Sequence, residues 1–282
     1  MLLAALLLVG GAALAKADVE FAYDAGAEIV SAYLWRGQYN GGLSFQPDLE
    51  IGYDGDKTSL RVGVWANLGA SDWKFKKDNG EGVGYTMFMP EVDVMLNYSF
   101  FGASVGVNHY YYCDGSNFLS WQRDKDLFDE DGNVNTTSTT EVWAGYSFEH
   151  FFGVDAYINW YTNVAGNDFV WDENDNAKRA WSTYIELGYN YTWDNLGLTL
   201  GAQVGISPWA SDLYGNGKFA VTNLSLKLDK EWEFDALSLN LFAQGCLNPN
   251  GINKENVYIN AAGDDKLYLQ KLNGCIGLGI WF

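Results

Sequence analysis

In the segment FQPDLEIGY, Phe45, Pro47, Leu49, Ile51 and Tyr53 fall on one face of an extended chain, and Gln46, Asp48, Glu50 and Gly52 on the other. A period of two belongs to a strand, whose successive side chains point to opposite sides. LRVGVWANL repeats it, with Leu60, Val62, Val64, Ala66 and Leu68 opposed to Arg61, Gly63, Trp65 and Asn67. FMPEVDVMLNY sets Phe88, Pro90, Val92, Val94, Leu96 and Tyr98 against Glu91, Asp93 and Asn97. Continued along the chain, the pattern predicts twelve strands near 24–36, 43–54, 58–70, 85–100, 102–114, 138–149, 152–165, 179–192, 197–208, 218–234, 236–248 and 271–282. Each is long enough to cross a bilayer at a tilt, which takes roughly nine residues.

The links between these strands alternate in length. One set is mostly long (71–84, 115–137, 166–178, 209–217 and 249–270), with the six-residue GQYNGG its short member. The other set is very short: GDK, Phe101, HF, WDNL and DA. Long loops at one end and tight turns at the other mark an outer-membrane barrel. An even strand number places both termini at the short-turn, periplasmic end. The apolar face carries aromatic residues towards both ends. Tyr53, Tyr98, Phe100, Tyr146, Phe148, Tyr189, Tyr191, Trp232 and Phe282 lie at the short-turn end, and Tyr33, Trp35, Phe45, Phe88, Tyr111, Trp160 and Trp181 at the other. Rings gather where headgroups meet acyl chains.

An apolar face of this extent cannot lie in water, and in lipid every backbone N–H and C=O must pair within the protein. Closure into a transmembrane antiparallel β-barrel is the expected fold. A soluble β-sandwich shares the alternation but accounts for neither the two aromatic bands nor the loop asymmetry.

Composition sharpens this picture. Aromatic residues make up 16% of the 282 residues, with 32 Gly and only 4 Pro. Asp and Glu number 36 against 17 Lys and Arg, a formal net charge of −19, so nucleic acid is not an expected partner. Residues 1–17, MLLAALLLVGGAALAKA, open with about fifteen apolar residues, too few to span, and close on small-x-small patterns. They read as a secretory signal peptide, leaving 18–282 as the barrel. The final run CIGLGIWF is the strand that must close against the first. Its terminal Phe282 resembles the signal read by the machinery that inserts outer-membrane barrels.

Several stretches together resemble the TorF-type porin family of Gram-negative envelopes, most strongly over residues 28–95. They are VSAYLWRGQ with Ser31, Tyr33, Arg36 and Gly37, then Pro47, VGVWANLG with Gly63 and Trp65, and PEVDV with Glu91 and Asp93. TEVWAGYSF with Glu141 and STYIELGYNY are similar in type. The resemblance implies an outer-membrane barrel acting as a channel and names no solute.

The candidate chemistry lies on the inward face. Parity places Glu28, Asp48, Glu50, Glu91, Asp93, Glu141, Asp155, Glu186 and Asp229 there, against Arg36, Arg61 and Lys227. Such a lumen is negative, and low-dielectric walls focus its field, favouring cations among small polar solutes. The same side chains also serve as cross-barrel packing and ion pairs. A turn at 54–57 sets Glu50 nearly opposite Arg61, with Glu91 and Asp93 extending the network. Inward Trp65, Trp143, Tyr110, Tyr157, Tyr161 and Tyr184 offer flat faces to a solute or to one another. Twelve strands give a backbone diameter on the order of 25 Å and a clear bore of ~10 Å if no loop folds in.

Cys246 and Cys275 face inward on adjacent strands and would form a disulfide if the register brings them opposite. Asp129, Asp131 and Asn133 are spaced like the start of a calcium loop that lacks its downstream Glu, so a solvated acidic loop is expected there and in WDENDN. No metal site, cofactor or catalytic group is expected. His109 lies on the outward face and His150 in a turn, so no nucleophile–histidine pair forms. The expected function is a porin for small hydrophilic solutes, weakly cation-preferring, in the outer membrane. The alternatives are a closed barrel whose long loops bind an envelope or surface partner, and a surface hydrolase using carboxylates.

Overall fold

The computed structural model describes residues 19–76, 82–113, 117–119, 136–171, 177–251 and 271–282. The segments 1–17, with the expected signal, and 129–133, with the calcium-like spacing, lie outside the described residues, as do most of WDENDN and the side chain of Phe88.

Sixteen strands are formed among the described residues. They are β1 (Val19–Val30), β2 (Tyr33–Trp35), β3 (Gln38–Gly41), β4 (Ser44–Gly55), β5 (Thr58–Lys76), β6 (Gly82–Phe100), β7 (Ala103–Tyr112) and β8 (Thr139–Ser147). Then follow β9 (Ala156–Gly166), β10 (Phe169–Trp171), β11 (Ala177–Arg179), β12 (Thr183–Trp193), β13 (Leu198–Ser207), β14 (Ala220–Glu233), β15 (Ser238–Leu247) and β16 (Leu272–Trp281). Twelve of them close one antiparallel barrel in the order β1-β4-β5-β6-β7-β8-β9-β12-β13-β14-β15-β16, with β16 returning to β1. The pairs β2-β3 and β10-β11 are separate two-stranded sheets inserted in the links.

The barrel is inside out with respect to a water-soluble protein. Leu226 and Ile276 on its outer surface are 59% and 62% exposed, whereas the carboxylate of Glu141 is fully buried within. Leu49, Val62, Val64, Leu187, Leu228 and Leu278 continue the apolar exterior. Tyr53, Phe100, Tyr189, Tyr191 and Trp232 lie on its short-turn side, and Phe45, Trp160 and Trp181 on its long-loop side. This band fits acyl chains bounded by headgroups.

Four details depart from the sequence reading. The first strand stops at Val30, and residues 31–43 are an inturned hairpin built on β2 and β3, not a six-residue link. Tyr33 and Trp35 therefore leave the outward band for the interior, where Tyr33 is buried and Trp35 stacks on Tyr214. β5 and β6 pair continuously out to Lys76 and Gly82, so most of the segment read as loop 71–84 is ladder. The short turn read at 150–151 spans 148–155 and contains a one-turn helix, Glu149–Phe152.

The fourth departure is one of register. Gly55 pairs with Thr58, so the turn is Asp56-Lys57, two residues later in sum than the turn at 54–57 implies. Glu50 therefore faces Gly63, and Arg61 faces Gly52. Arg61 instead binds Asp54 through Nε at 3.0 Å and a second guanidinium contact, and Asp24 through Nη1 at 2.8 Å. Glu91 and Asp93 pair with Asn67 and Trp65, well up the barrel from Arg61, so the expected network with that arginine does not form.

Candidate functional site in the lumen

The hairpin turns on Arg36 and Gly37, both at positive φ (50° and 84°), between paired Trp35 and Gln38. A two-residue hairpin loop with both central residues left-handed favours Asn-Gly or Gly-Gly, because a side chain with a Cβ is strained there. Arg36 carries that strain, roughly 1–2 kcal/mol, and its side chain makes contacts that offset it. Nη1 and Nη2 donate to Oε2 and Oε1 of Glu141, each at 2.8 Å, in a bidentate pair 105 positions apart in the chain. Nη1 also donates to the Tyr214 hydroxyl at 2.8 Å. The guanidinium carbon lies 3.9 Å from the Tyr161 ring centroid, 4.6 Å from that of Trp35 and 5.0 Å from that of Tyr184. Planar guanidinium matches a carboxylate edge-on and aromatic rings face-on, which a lysine cannot do.

The barrel wall holds Glu141 ready for this partner. The Tyr110 hydroxyl donates to its Oε1 at 2.6 Å and Asn108 Nδ2 at 3.0 Å. Behind the hairpin, the tip touches β14 backbone to backbone. A Cβ on Gly37 would stand 2.2 Å from the Thr222 carbonyl oxygen, so only glycine fits that turn. Gly205 plays the matching part on the wall: a Cβ there would meet the ring and hydroxyl of Tyr184, which lies flat across it.

A second inturned segment meets the hairpin from the link between β13 and β14. Tyr214, buried, stacks on Trp35 at 5.8 Å and 14° and on Tyr184 at 5.4 Å and 27°. Gln38 Nε2 donates to the Leu213 carbonyl at 2.7 Å. Ser182 ties this segment to the loop outside. Its hydroxyl accepts from the amides of Asp212 and Leu213 at 3.1 and 3.3 Å and from Ser211 Oγ at 2.8 Å. It donates to Asp168 Oδ1 at 2.5 Å, and the Ser182 amide donates to Oδ2 at 3.0 Å. Hydrogen bonds thus run from Asp168 through Ser182 and the 211–213 backbone to the hairpin. Burial pushes the Asp168 carboxyl up from its ordinary range, against the opposite pull of Ser182 and Arg179.

Below the hairpin, towards the short turns, the lumen opens into a cavity of about 280 Å³ lined by Asn190, Thr199, Gly201, Gln203, Ser225, Lys227 and Asp229. Tyr157 connects the two regions, donating to Glu186 Oε1 at 3.0 Å and accepting from Gln203 Nε2 at 2.6 Å. Tyr184 donates to Glu186 Oε2 at 2.9 Å.

The structure gathers some of the sequence candidates and separates others. Arg36 and Glu141 meet in the hairpin site, and Asp93 interacts electrostatically with both. Glu91 is buried beside it, within reach of the Tyr33 and Tyr112 hydroxyls, and Trp65 packs on Tyr33 at 5.3 Å. Glu186 sits one layer down. Asp48 and Glu50 are half-buried on β4, across from Trp65 and Gly63. Arg61 stands apart at the short-turn mouth. Asp155 precedes β9, is exposed, and accepts from Asn190 Nδ2 at 3.2 Å, so it marks the rim and not the lumen wall.

Cys246 faces Asn273, and Cys275 faces Gln244. The two thiols are offset by two residues along the ladder and both are free, so the disulfide does not form. His109 has outward parity but is buried, its Nδ1 2.9 Å from Thr140 Oγ1 and its Nε2 2.7 Å from the Phe118 carbonyl oxygen. Gln38, Asn108 and Tyr214 are site residues that the sequence reading missed. The available signals were an Arg-Gly pair between alternating aromatics and a lone Tyr within the loop run SDLYGNG.

No family model matches the chain, and no curated protein matches it. Solved structures of similar architecture exist. The chain is similar to the NanC porin, at 10% identity over 93% of this chain and 99% of that one, with a TM-score of 0.47. An outer-membrane channel from Pseudomonas putida F1 is similar at 12% identity over 94% of each chain, with a TM-score of 0.42. OmpF of Salmonella typhi, solved with daunomycin, is similar at 11% identity over 94% of this chain and 98% of that one, with a TM-score of 0.37.

Proposed function

We propose that this protein is an outer-membrane channel for small hydrophilic solutes, held shut by the hairpin of residues 31–43. The observation that carries this reading is the lumen itself. A polar cavity on the short-turn side leads up to a plug that lies outside the barrel ladder, bonded to β16 at its base through Ser31 and Ile276 and held above by side-chain contacts with Arg36 on Glu141 at their centre. A barrel that served only as an anchor needs neither a hollow nor a separable filling. The carboxylates of Glu28, Asp48, Glu50, Glu186 and Asp229 outnumber Lys227 below the plug, which supports a preference for cations.

On this reading residues 1–17 direct export, both termini face the periplasm, the apolar band contacts outer-membrane lipid, and Phe282 is presented to the insertion machinery. The resemblance of residues 28–95 to TorF-type porins agrees with it. Planar-bilayer recording under a salt gradient is the test. Unitary currents with a cation-selective reversal potential, larger after removal of residues 32–41, are expected; silence from both proteins would refute the channel.

The filled loop-side half favours a second reading, a closed barrel that displays its long loops to a partner. It predicts that the shortened protein is as silent as the intact one. A hydrolase has less support: His109 is buried, with one ring nitrogen at the Thr140 hydroxyl and the other at the Phe118 carbonyl.

A further inference from the structure

We propose that the box filled by Arg36 is a recognition site for small solutes bearing a guanidinium group, and that such a solute opens the channel by taking the arginine's place. The inference rests on the channel reading and names its substrate class.

Three observations point there. First, the box is complete without the hairpin's backbone. Glu141, Tyr110 and Asn108 belong to barrel strands, as do the Tyr161 and Tyr184 rings, so withdrawal of residues 31–43 leaves the carboxylate oriented by two donors and flanked by aromatic faces. Second, the present occupant is held in a turn conformation that its own side chain disfavours, φ 50° at a residue with a Cβ. A free ligand making the same contacts carries no such strain. Third, the site holds a buried acceptor that Arg36 does not use. Asp93, 94% buried, interacts electrostatically with Glu141 and with Arg36, yet its Oδ1 has no hydrogen-bond partner among the described residues. A buried carboxylate oxygen left open beside an occupied cation box is an acceptor for a second donor group. Arg36 reaches Glu141 but leaves that oxygen unused. A solute with a guanidinium at one end and an ammonium group within a few bonds of it satisfies both.

Charge and shape together set the class. Anions are repelled by Glu141. Neutral solutes of the same shape lack the charge-assisted pair that a desolvated carboxylate requires. The cavity lined by Gln203, Ser225 and Asp229 lies on the short-turn side of the box, and Glu186, held by Tyr157 and Tyr184, stands between the two, so a cationic solute arriving from below meets that carboxylate first.

L-Arginine and L-citrulline test this, since they differ in replacing guanidinium by a neutral urea. Intrinsic tryptophan fluorescence of the detergent-solubilised Arg36→Ala variant should report arginine binding about tenfold or more tighter than citrulline, and Arg36→Ala combined with Glu141→Gln should lose that preference. Equal affinity for the two solutes overturns the proposal. The intact protein gives an independent readout if the variant does not fold: arginine, and not citrulline, should speed hydrogen exchange of residues 33–41. Unchanged exchange overturns it equally. Both measurements are made without a membrane current. A protein that discriminates the two solutes but never conducts would refute the channel and keep the site, whereas one that conducts without discriminating would do the reverse.

Discussion

Arg36 and Glu141 form a two-bond ion pair, 2.8 Å at each contact, across the inside of a barrel whose wall supplies one partner and whose inturned hairpin supplies the other. Its side chains are 9% and 0% exposed. Arg61 with Asp24 and Asp54 is a pair of the same chemistry in the opposite setting, with the carboxylates 61% and 41% exposed at the short-turn mouth.

The two arginines should respond differently to removal. Arg36→Ala leaves Glu141 buried with no cation, and breaking a buried pair from one side costs about 3–5 kcal/mol. Arg61→Ala removes contacts that water replaces, worth about 0–1 kcal/mol. Urea unfolding in detergent micelles, followed by tryptophan fluorescence, should show a large fall in midpoint for the first and little change for the second. Glu141→Gln should recover part of the loss when added to Arg36→Ala, because it removes the stranded charge.

Gly37→Ala should loosen the hairpin without weakening the barrel. Its new methyl group meets the Thr222 carbonyl, and its φ of 84° is unfavourable for alanine, yet no barrel ladder passes through residue 37. Planar-bilayer recordings should therefore show more frequent openings than in the parent, while the temperature at which the folded band disappears on gels moves by only a few degrees.

Cys246 and Cys275 should both react with maleimide after unfolding without reductant. Their positions opposite Asn273 and Gln244 leave the sulfurs out of register for a bridge. Mass spectrometry of the labelled peptides checks this, and a linked pair of peptides would contradict the register.

Asp168 should make the loop-side network sensitive to pH. Burial raises its carboxyl above the unfolded value, so the folded loop keeps a proton that the unfolded chain has already lost. The associated stability is complete below the unfolded carboxylate range, near about 4, and drains away as pH rises through the folded value. Hydrogen exchange at the Ser182 and Leu213 amides, corrected for intrinsic rates, should quicken from pH 4 to pH 7. Asp168→Asn should flatten that dependence.

How much of this was legible beforehand follows from what an alternating pattern encodes. Leu49, Ile51 and Val64 read outward and are outward, because a period of two assigns faces without any knowledge of the neighbour strand. The Glu50–Arg61 pairing failed because register depends on which two residues make the turn, and a turn displaced from 54–57 to Asp56-Lys57 moves every partner by two. The hairpin was hidden for a different reason. Tyr33 and Trp35 alternate with Ala32 and Leu34 as they would in a barrel strand, and periodicity does not distinguish a ring that meets lipid from one that meets Tyr214. Glu141 was placed on the correct face, but nothing in its local sequence announces a partner 105 positions away.

The join between β1 and β16 is short, with five residue pairs from Gly26 to Val30, against ten between β15 and β16. Ala25 adds backbone bonds to Phe282, and beyond it the first strand continues to Val19 with β4 on one side and no ladder partner on the other among the described residues. A cylinder zipped so briefly at one line has a natural place to be unfastened. Force or a foreign strand applied to the wall would part it along that line first, and the protruding edge would be the first to accept a replacement.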